Sequence, residues 1–180
     1  MNRNILVVNG HPDPRPERFC AALCDAYAAG AQAQGFATRR LDVGALNLSA
    51  LAAKGEEDAG FCGSVEQAFR LVRAADRLAI VFPLWADEPP AELRQMFDYV
   101  SRLDGYLHPQ ALHGAKAARV VVTTGLPAFL YRGRCPTARR LALSGVAVDE
   151  PTFIGSVESL SCAQRQRWLE QMRDLGASAN

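Results

Sequence analysis

Short apolar runs that alternate with helix-length amphipathic segments constrain the fold of this chain more than any other feature. Three runs are continuous and rich in β-branched residues: Ile5 to Val8, Leu78 to Phe82 and Val120 to Val122. Such runs are typical of strands buried on both faces, as in a parallel sheet. The more polar segment Ala37 to Val43, with Arg39 and Arg40, predicts an edge strand, and a last strand is expected within Val146 to Ile154.

Helical periodicity fills the segments between these runs. Apolar residues recur at three- and four-residue spacing in segments that include Phe19, Val65, Leu93 and Trp168. Two of these helices are preceded by capping boxes, formed by Ser64 with Gln67 and by Ser161 with Gln164. The repeated strand–helix order predicts an α/β fold with a doubly wound parallel sheet. Without repeats or a linker, residues 1–180 are expected to form a single domain.

Composition excludes several function classes. The chain has 180 residues and a formal net charge of +1, which argues against a nucleic-acid-binding protein. The apolar run near the N-terminus is too short for a signal peptide or a membrane span, so we expect no membrane segment and a cytoplasmic location. The chain has five cysteines, an odd number, and they include no C-x-x-C pair. No metal site or disulfide framework is therefore expected. His108 and His113 are assigned a surface role.

Three loops follow strands and are the candidate binding segments. Their sequences run over residues 10–18 (GHPDPRPER), 83–90 (PLWADEPP) and 123–131 (TTGLPAFLY). In an open α/β sheet, ligands bind beyond the carboxyl ends of the strands, at the point where the strand order reverses. The three loops are therefore expected to meet there.

The first loop carries neither the dinucleotide-binding fingerprint nor the P-loop pattern. It leads directly into a helix N-terminus, where free N–H groups and the helix dipole favour an anion. His11, Arg15 and Arg18 add donors, and Pro16 suits the first helical turn. Two interpretations remain open: a phosphate cradle, or a rigid turn with solvated arginines.

The second loop has two interpretations of its own. Trp85 either packs on the flat ring of a ligand or caps the core. Asp87 and Glu88 either form an acid–base pair or begin the next helix, with Pro89 or Pro90 in its first turn. The second alternative is favoured because carboxylates stabilise a helix N-terminus.

In the third loop, Gly125 allows backbone to approach a ligand closely. The hydroxyl of Tyr131 either serves a bound substrate or belongs to a half-buried tyrosine with no ligand role.

Taken together, these segments resemble the flavodoxin-like NAD(P)H dehydrogenase (quinone) family, which includes quinone reductases and ancillary subunits of potassium-efflux systems. The matching stretches are GHPDPRPERFCAALCDAY, FPLWADEPPAELRQMFDYV, TTGLPAFLY and FIGSVESLSCAQRQRWLEQMRDLG. The resemblance covers nearly the whole chain. It implies a five-stranded sheet in the order 2-1-3-4-5 with helices on both faces, FMN or FAD as cofactor, NAD(P)H as co-substrate, a quinone or similar acceptor, and a homodimer.

The resemblance also implies site residues. His11, Arg18, Phe19 and Cys20 would meet the flavin phosphate; Pro83, Leu84, Trp85 and Ala86 would border the ring; Thr123, Thr124, Gly125 and Leu126 would border its other edge. Tyr131 matches the family's active-site tyrosine. The arginines that follow it (Arg132, Arg134, Arg139 and Arg140) either bind the 2′-phosphate of NADPH or form a solvated basic loop.

Departures from the family pattern favour an alternative function. Arg18 stands where the family has serine, Asp87 where it has glycine, and Pro89 where it has a residue with a backbone donor. A histidine found shortly after the tyrosine in some quinone reductases is missing from the stretch that follows Tyr131. The alternative is a flavin-poor relative that acts as a binding or regulatory subunit.

Overall fold

The computed structural model describes residues 4–46, 63–107, 117–131, 135–143 and 145–179. The strands are β1 (Asn4–Asn9), β2 (Ala37–Asp42), β3 (Arg77–Leu84), β4 (Ala117–Thr124), β5 (Ala147–Val148) and β6 (Thr152–Ile154). The α-helices are α1 (Phe19–Ala33), α2 (Gly63–Ala74), α3 (Ala91–Leu107), α4 (Pro136–Leu143) and α5 (Cys162–Ala177). His108, His113, Arg132 and Arg134 lie outside the described residues.

The strands form a parallel sheet in the order β2-β1-β3-β4-β5, which confirms the predicted topology. The strand β6 also pairs with β4, beside Val121 to Thr123, whereas β5 lies beside Ala117 and Ala118. The predicted fifth strand is therefore two short pieces that occupy one position in the sheet. Pro151 lies between them and has no backbone N–H to donate to a ladder.

An ion cluster lies at this interruption, on the edge of the sheet where the strands begin. One oxygen of Asp149 accepts hydrogen bonds from Arg77 (2.7 Å) and contacts Arg119 (2.8 Å). The side chain of Tyr27 is buried nearby, and burial raises the pKa of its phenol. The carboxylate thus offsets part of the positive charge of two arginines on neighbouring strands.

Helices cover both faces of the sheet, as predicted. One core cluster joins alternate strand residues to α1 and α5: Ile5, Val7, Ala79, Val81 and Val121. The residues between them join a second cluster with α2, α3 and α4: Leu6, Val8, Leu78, Ile80, Phe82, Val120 and Val122. This alternation follows from the two-residue period of a strand, and it explains why the runs are apolar without a break.

Two glycines set the distance between α1 and α5. A Cβ on Gly30 would lie 1.9 Å from the carbonyl oxygen of Arg173, and one on Gly176 would lie 2.0 Å from that of Tyr27. No side chain fits at either position without moving a helix backbone. The two helices therefore approach more closely than any residue with a Cβ would allow.

Helix starts were predicted with mixed success. The Ser161–Gln164 capping box before α5 is confirmed, with both reciprocal bonds formed. The prediction for Ser64 is wrong, because α2 already includes Gly63 and Ser64 therefore lies inside the helix. Within the described residues, no helix combines the length and the apolar character that a membrane crossing requires.

Candidate functional site

The three loops do meet at the edge of the sheet where the strands end. β3 and β4 are paired along their whole length, and their last residues, Leu84 and Thr124, lie opposite each other. The second and third loops therefore leave the sheet side by side. The first loop begins beside β3, where the Gly10 amide donates to the carbonyl of Val81 at 2.8 Å. The convergence predicted from strand order is present in the structure.

A buried amide organises the first loop. The Asn9 side chain donates to Asp42 (2.8 Å) and accepts from the backbone N–H of His11 (3.2 Å). Nδ1 of His11 in turn accepts from the N–H of Asp13 at 2.9 Å. A Cβ on Gly44 would lie 2.1 Å from the carbonyl oxygen of Pro12, so the segment after β2 packs directly against this loop. Asn9 and Asp42 were not among the predicted site residues, because their only signal is a polar residue at the end of a strand.

The N-terminus of α1 lies open at the end of this loop. Arg18 is the N-cap residue, and its side chain makes no capping hydrogen bond. The first amides of an α-helix have no intrahelical acceptor, so those of Phe19 and Cys20 are directed out of the helix. Pro16 does not begin the helix as predicted; it lies in a turn closed by the Arg18 amide on the carbonyl of Arg15 (3.1 Å).

A carboxylate at the mouth of the loop engages both predicted arginines. Asp13 accepts from Nε of Arg15 (2.9 Å) and from Nε of Arg18 (2.7 Å). The hydrogen bonds from Arg15 and Arg18 hold the pKa of Asp13 well below its usual range. The two guanidinium groups are exposed, but each is paired with Asp13, so they are not simply solvated side chains.

Trp85 faces the first loop. Its ring contacts His11 edge-to-face, with 5.7 Å between ring centroids, and the residue is 54% exposed. The interpretation that Trp85 caps the core is therefore wrong. Burial, and then the charge of Arg18, lower the pKa of His11, so its neutral form is favoured beside the indole.

The tip of the second loop is a tight hairpin. The backbones of Trp85 and Glu88 exchange two hydrogen bonds of 3.0 Å, which leaves Ala86 and Asp87 in left-handed conformations with φ of 48° and 65°. The prediction that Asp87 and Glu88 begin the next helix is wrong. That helix, α3, starts at Ala91, because the hairpin occupies the residues that would form its first turn.

The third loop turns on its two threonines, which are both buried. Oγ1 of Thr124 accepts from the amide of Leu126 (3.2 Å), and Oγ1 of Thr123 lies 3.5 Å from the thiol of Cys20. Burial raises the pKa of that thiol to about 11. A Cβ on Gly125 would meet nothing within 4 Å, so the space above this residue is open.

Burial separates the predicted site residues into two groups. Pro83, Leu84, Cys20, Thr123 and Thr124 are buried, so they can offer a ligand their backbone or an edge at most. The remaining loop residues present atoms to the shared edge: His11, Arg18, Phe19, Trp85, Ala86, Gly125 and Leu126.

Tyr131 is more buried than predicted. It is 8% exposed and its ring stacks on Phe153, with centroids 6.1 Å apart. In contrast, its neighbours Leu126, Phe129 and Leu130 are exposed. The loop after β4 therefore holds the tyrosine ring in the core and turns an apolar surface outward, a feature that the sequence analysis did not predict.

Solved structures share this architecture over nearly their whole length. An NAD(P)H:quinone oxidoreductase from Methanothermobacter marburgensis is 20% identical, with 98% of this chain and 96% of that chain covered and a TM-score of 0.75. An NADH:FMN oxidoreductase in its apo form is 20% identical, with coverage of 99% and 92% and a TM-score of 0.67. An azoreductase from Bacillus anthracis str. Sterne is 18% identical, with coverage of 97% and 99% and a TM-score of 0.64.

The sequence was also compared with curated proteins and with protein-family models. No curated protein matches the chain. A family model described as the flavodoxin-like fold matches residues 3–146, and these residues include strands β1 to β4, the open helix terminus and all three loops described above. The chain belongs to the family of proteins with a flavodoxin-like fold.

Proposed function

We propose that this protein is a flavin-dependent NAD(P)H oxidoreductase that reduces quinones or similar acceptors by two-electron hydride transfer. The observation that carries the proposal is the uncapped N-terminus of α1 beside two loops that expose Trp85 and Leu126, all at one edge of the sheet. An anion-binding helix end next to apolar surface suits a ligand with a phosphate and a flat ring. The oxidoreductases among the similar structures support it.

At the phosphate end, backbone amides supply most of the binding. The amides of Phe19 and Cys20 would donate to the anion, and the helix dipole adds a partial positive charge. Nδ1 of His11 accepts a hydrogen bond from the Asp13 amide. The neutral imidazole therefore carries its proton on Nε2 and can donate a hydrogen bond from that atom. Arg18 lies at the same helix end and replaces a neutral hydroxyl with a cation.

At the ring end, the second and third loops form two borders. Pro83, Leu84, Trp85 and Ala86 would lie along one border, and Thr123, Thr124, Gly125 and Leu126 along the other. The open space above Gly125 admits a flat group, and the exposed indole of Trp85 offers it an apolar surface. A bound flavin would supply the redox chemistry: the hydride of NAD(P)H brings two electrons and one proton, and the acceptor would leave reduced by two electrons with a second proton from solvent.

Tyr131 would position the acceptor. Its hydroxyl would donate a hydrogen bond to the acceptor oxygen as negative charge develops on it.

We further propose that the protein is a homodimer, because Leu126, Phe129 and Leu130 form an exposed apolar surface that a second copy would cover. In that arrangement the partner would close the acceptor site. A cytoplasmic location is proposed as well.

Flavin titration tests the proposal directly. The purified protein is mixed with riboflavin, FMN or FAD, and the retained absorbance is measured after gel filtration. We expect FMN or FAD to be retained, and riboflavin to bind more weakly because it lacks the phosphate. Retention of neither FMN nor FAD at high micromolar concentration would overturn the proposal.

One observation favours the alternative of a flavin-poor binding or regulatory subunit. Asp13 places a carboxylate at the mouth of the phosphate loop and occupies both arginines there. An internal carboxylate in this position competes with an external anion for the same donors. Asp13→Asn separates the two functions: it should increase flavin affinity in an enzyme, whereas a regulatory subunit would bind no flavin in either form.

A further inference from the structure

We infer that the cavity between the second loop and helices α3 and α4 binds an uncharged apolar extension of the acceptor, which makes lipophilic quinones with a hydrocarbon side chain the preferred substrate class. This inference rests on the proposed function. The cavity has a volume of about 270 Å³. It is therefore slightly smaller than the pockets of roughly 300–1,000 Å³ that hold drug-sized ligands, a size suited to a substituent rather than a whole cofactor.

The interior of the cavity is apolar. Leu93 and Phe97 line it from α3 and Leu141 lines it from α4, while Pro89 and Pro136 form its walls. Hydrocarbon that moves from water into such a space gains about 0.8 kcal/mol for each buried methylene group. The interior thus favours an aliphatic chain over a polar group.

The two arginines at the rim are each paired with a carboxylate. Arg94 forms an ion pair with Glu88, and Arg140 forms one with Asp98. An anionic group, such as a phosphate of NADPH, would have to compete with these carboxylates and with Asp87, which also lines the cavity. The rim therefore favours an uncharged occupant.

The hairpin of the second loop places this cavity beside the proposed ring site. On one side of the hairpin, Trp85 contacts His11 of the phosphate loop. Asp87, Glu88 and Pro89 line the cavity from the same turn. A molecule with its head group at the ring border can thus extend a substituent past the hairpin towards α4, and the two binding regions are adjacent.

Acceptors of graded length test the inference. The wild-type protein is assayed with 2,3-dimethoxy-5-methyl-benzoquinones that carry no, one or two isoprenyl units. We expect KM to fall roughly tenfold or more from none to two, because several buried methylene groups supply more than the 1.4 kcal/mol that a tenfold change requires. An equal KM for all three acceptors would overturn the inference.

Matched variants of α4 locate the effect. Thr137 is buried and lines the cavity, whereas Ala142 on the same helix is exposed and does not. Thr137→Phe should fill the cavity and abolish the dependence of KM on tail length. Ala142→Phe adds the same ring outside the cavity and should keep the dependence. The same dependence in both variants would overturn the inference.

Two further measurements separate this inference from the proposed function. Calorimetric binding of the three quinones to flavin-free protein should show the same order of affinity, whether or not the protein turns over. If quinone binding depends on tail length but no flavin is bound, the cavity inference is supported and the proposed oxidoreductase function is wrong. If the protein reduces quinones but binding does not depend on tail length, the proposed function is supported and the cavity inference is wrong. If Thr137→Phe instead dissociates a dimer in light scattering and leaves the tail dependence intact, the cavity is a subunit contact and the inference is wrong.

Discussion

At the scale of single residues, the two left-handed residues of the second loop are where sequence and backbone conflict most. Ala86 and Asp87 both have positive φ although neither is glycine. For an ordinary residue with a Cβ, this conformation is less stable by about 1–2 kcal/mol. Asp87→Gly should raise the free energy of unfolding by up to about 1 kcal/mol, once the greater entropy of unfolded glycine is subtracted. This corresponds to a melting temperature about 2–4 °C higher.

The same substitution should tighten flavin binding, because it removes a carboxylate near the ring border. One such repulsion is worth on the order of 1 kcal/mol, or about a fivefold lower Kd. Ala86→Gly is the matched control, since it relieves similar strain without a change of charge. If both variants gain stability and neither changes the Kd for flavin, Asp87 points away from the ring.

His11 should make the first loop sensitive to acid. Its pKa is lowered from 6.5, so the folded state favours the neutral imidazole, whose Nδ1 accepts the Asp13 amide. The resulting stabilisation is complete above about pH 6.5 and is lost as the pH falls through the lower pKa of the folded state. Melting curves between pH 7.5 and 4.5 should therefore diverge from those of His11→Asn, whose amide oxygen can accept the same bond. Parallel curves would contradict this assignment.

Tyr131 is the residue on which acceptor turnover should depend. Its ring stacks on Phe153 in the core, so Tyr131→Phe should leave the fold and flavin binding nearly unchanged. Loss of the hydroxyl should slow reoxidation of the reduced protein by quinones roughly ten- to a thousandfold, as for other donors to a developing oxyanion. Stopped-flow absorbance compares the variant with the wild type. Equal rates with several quinones would leave the tyrosine a structural role only.

At the scale of elements, the contact between α1 and α5 reverses an ordinary expectation. Replacing glycine by alanine inside a helix usually stabilises it by roughly 1 kcal/mol. Gly30→Ala should instead destabilise the protein by about 1–3 kcal/mol, because its Cβ would lie 1.9 Å from the carbonyl oxygen of Arg173. Thermal unfolding of this variant decides the sign, and a higher melting temperature would show that the helices separate easily.

Elements with a single dominant signal were predictable from the sequence. The apolar runs located β1, β3 and β4, and the serine–glutamine pair located the start of α5. The fifth strand was not resolved into β5 and β6, although Pro151 between them is a local signal for an interruption. The ion pairs of Asp149 with Arg77 and Arg119 beside the interruption join different strands, and local sequence does not predict such contacts.

The candidate site was predictable to the same extent. Strand order placed the three loops together, but the contacts inside them join residues far apart in the chain. The bond between Asn9 and Asp42 and the cavity lined by Phe97 and Leu141 belong to this class. The hairpin at Ala86 and Asp87 was missed for a different reason, since alanine rarely adopts the left-handed conformation that Ala86 has here.

At the scale of the whole molecule, the exposed surface after β4 should determine the oligomeric state. Phe129 is 67% exposed and lies between Leu126 and Leu130. Phe129→Glu should convert a homodimer to a monomer, because it places a charge in an apolar contact. Leu143→Glu is the control, as Leu143 is 80% exposed on α4, outside that surface. Light scattering measures the mass, and a wild-type monomer would contradict the proposed assembly.

The pairing of α1 with α5 also has a consequence during synthesis. Ile5, Val7, Ala79, Val81 and Val121 all pack on the face that these two helices cover. A ribosome releases α1 and the first four strands well before α5, so this face stays half covered until late in translation. The nascent chain therefore keeps part of this apolar face exposed until α5 has emerged, and premature termination before residue 162 would leave a product prone to aggregation.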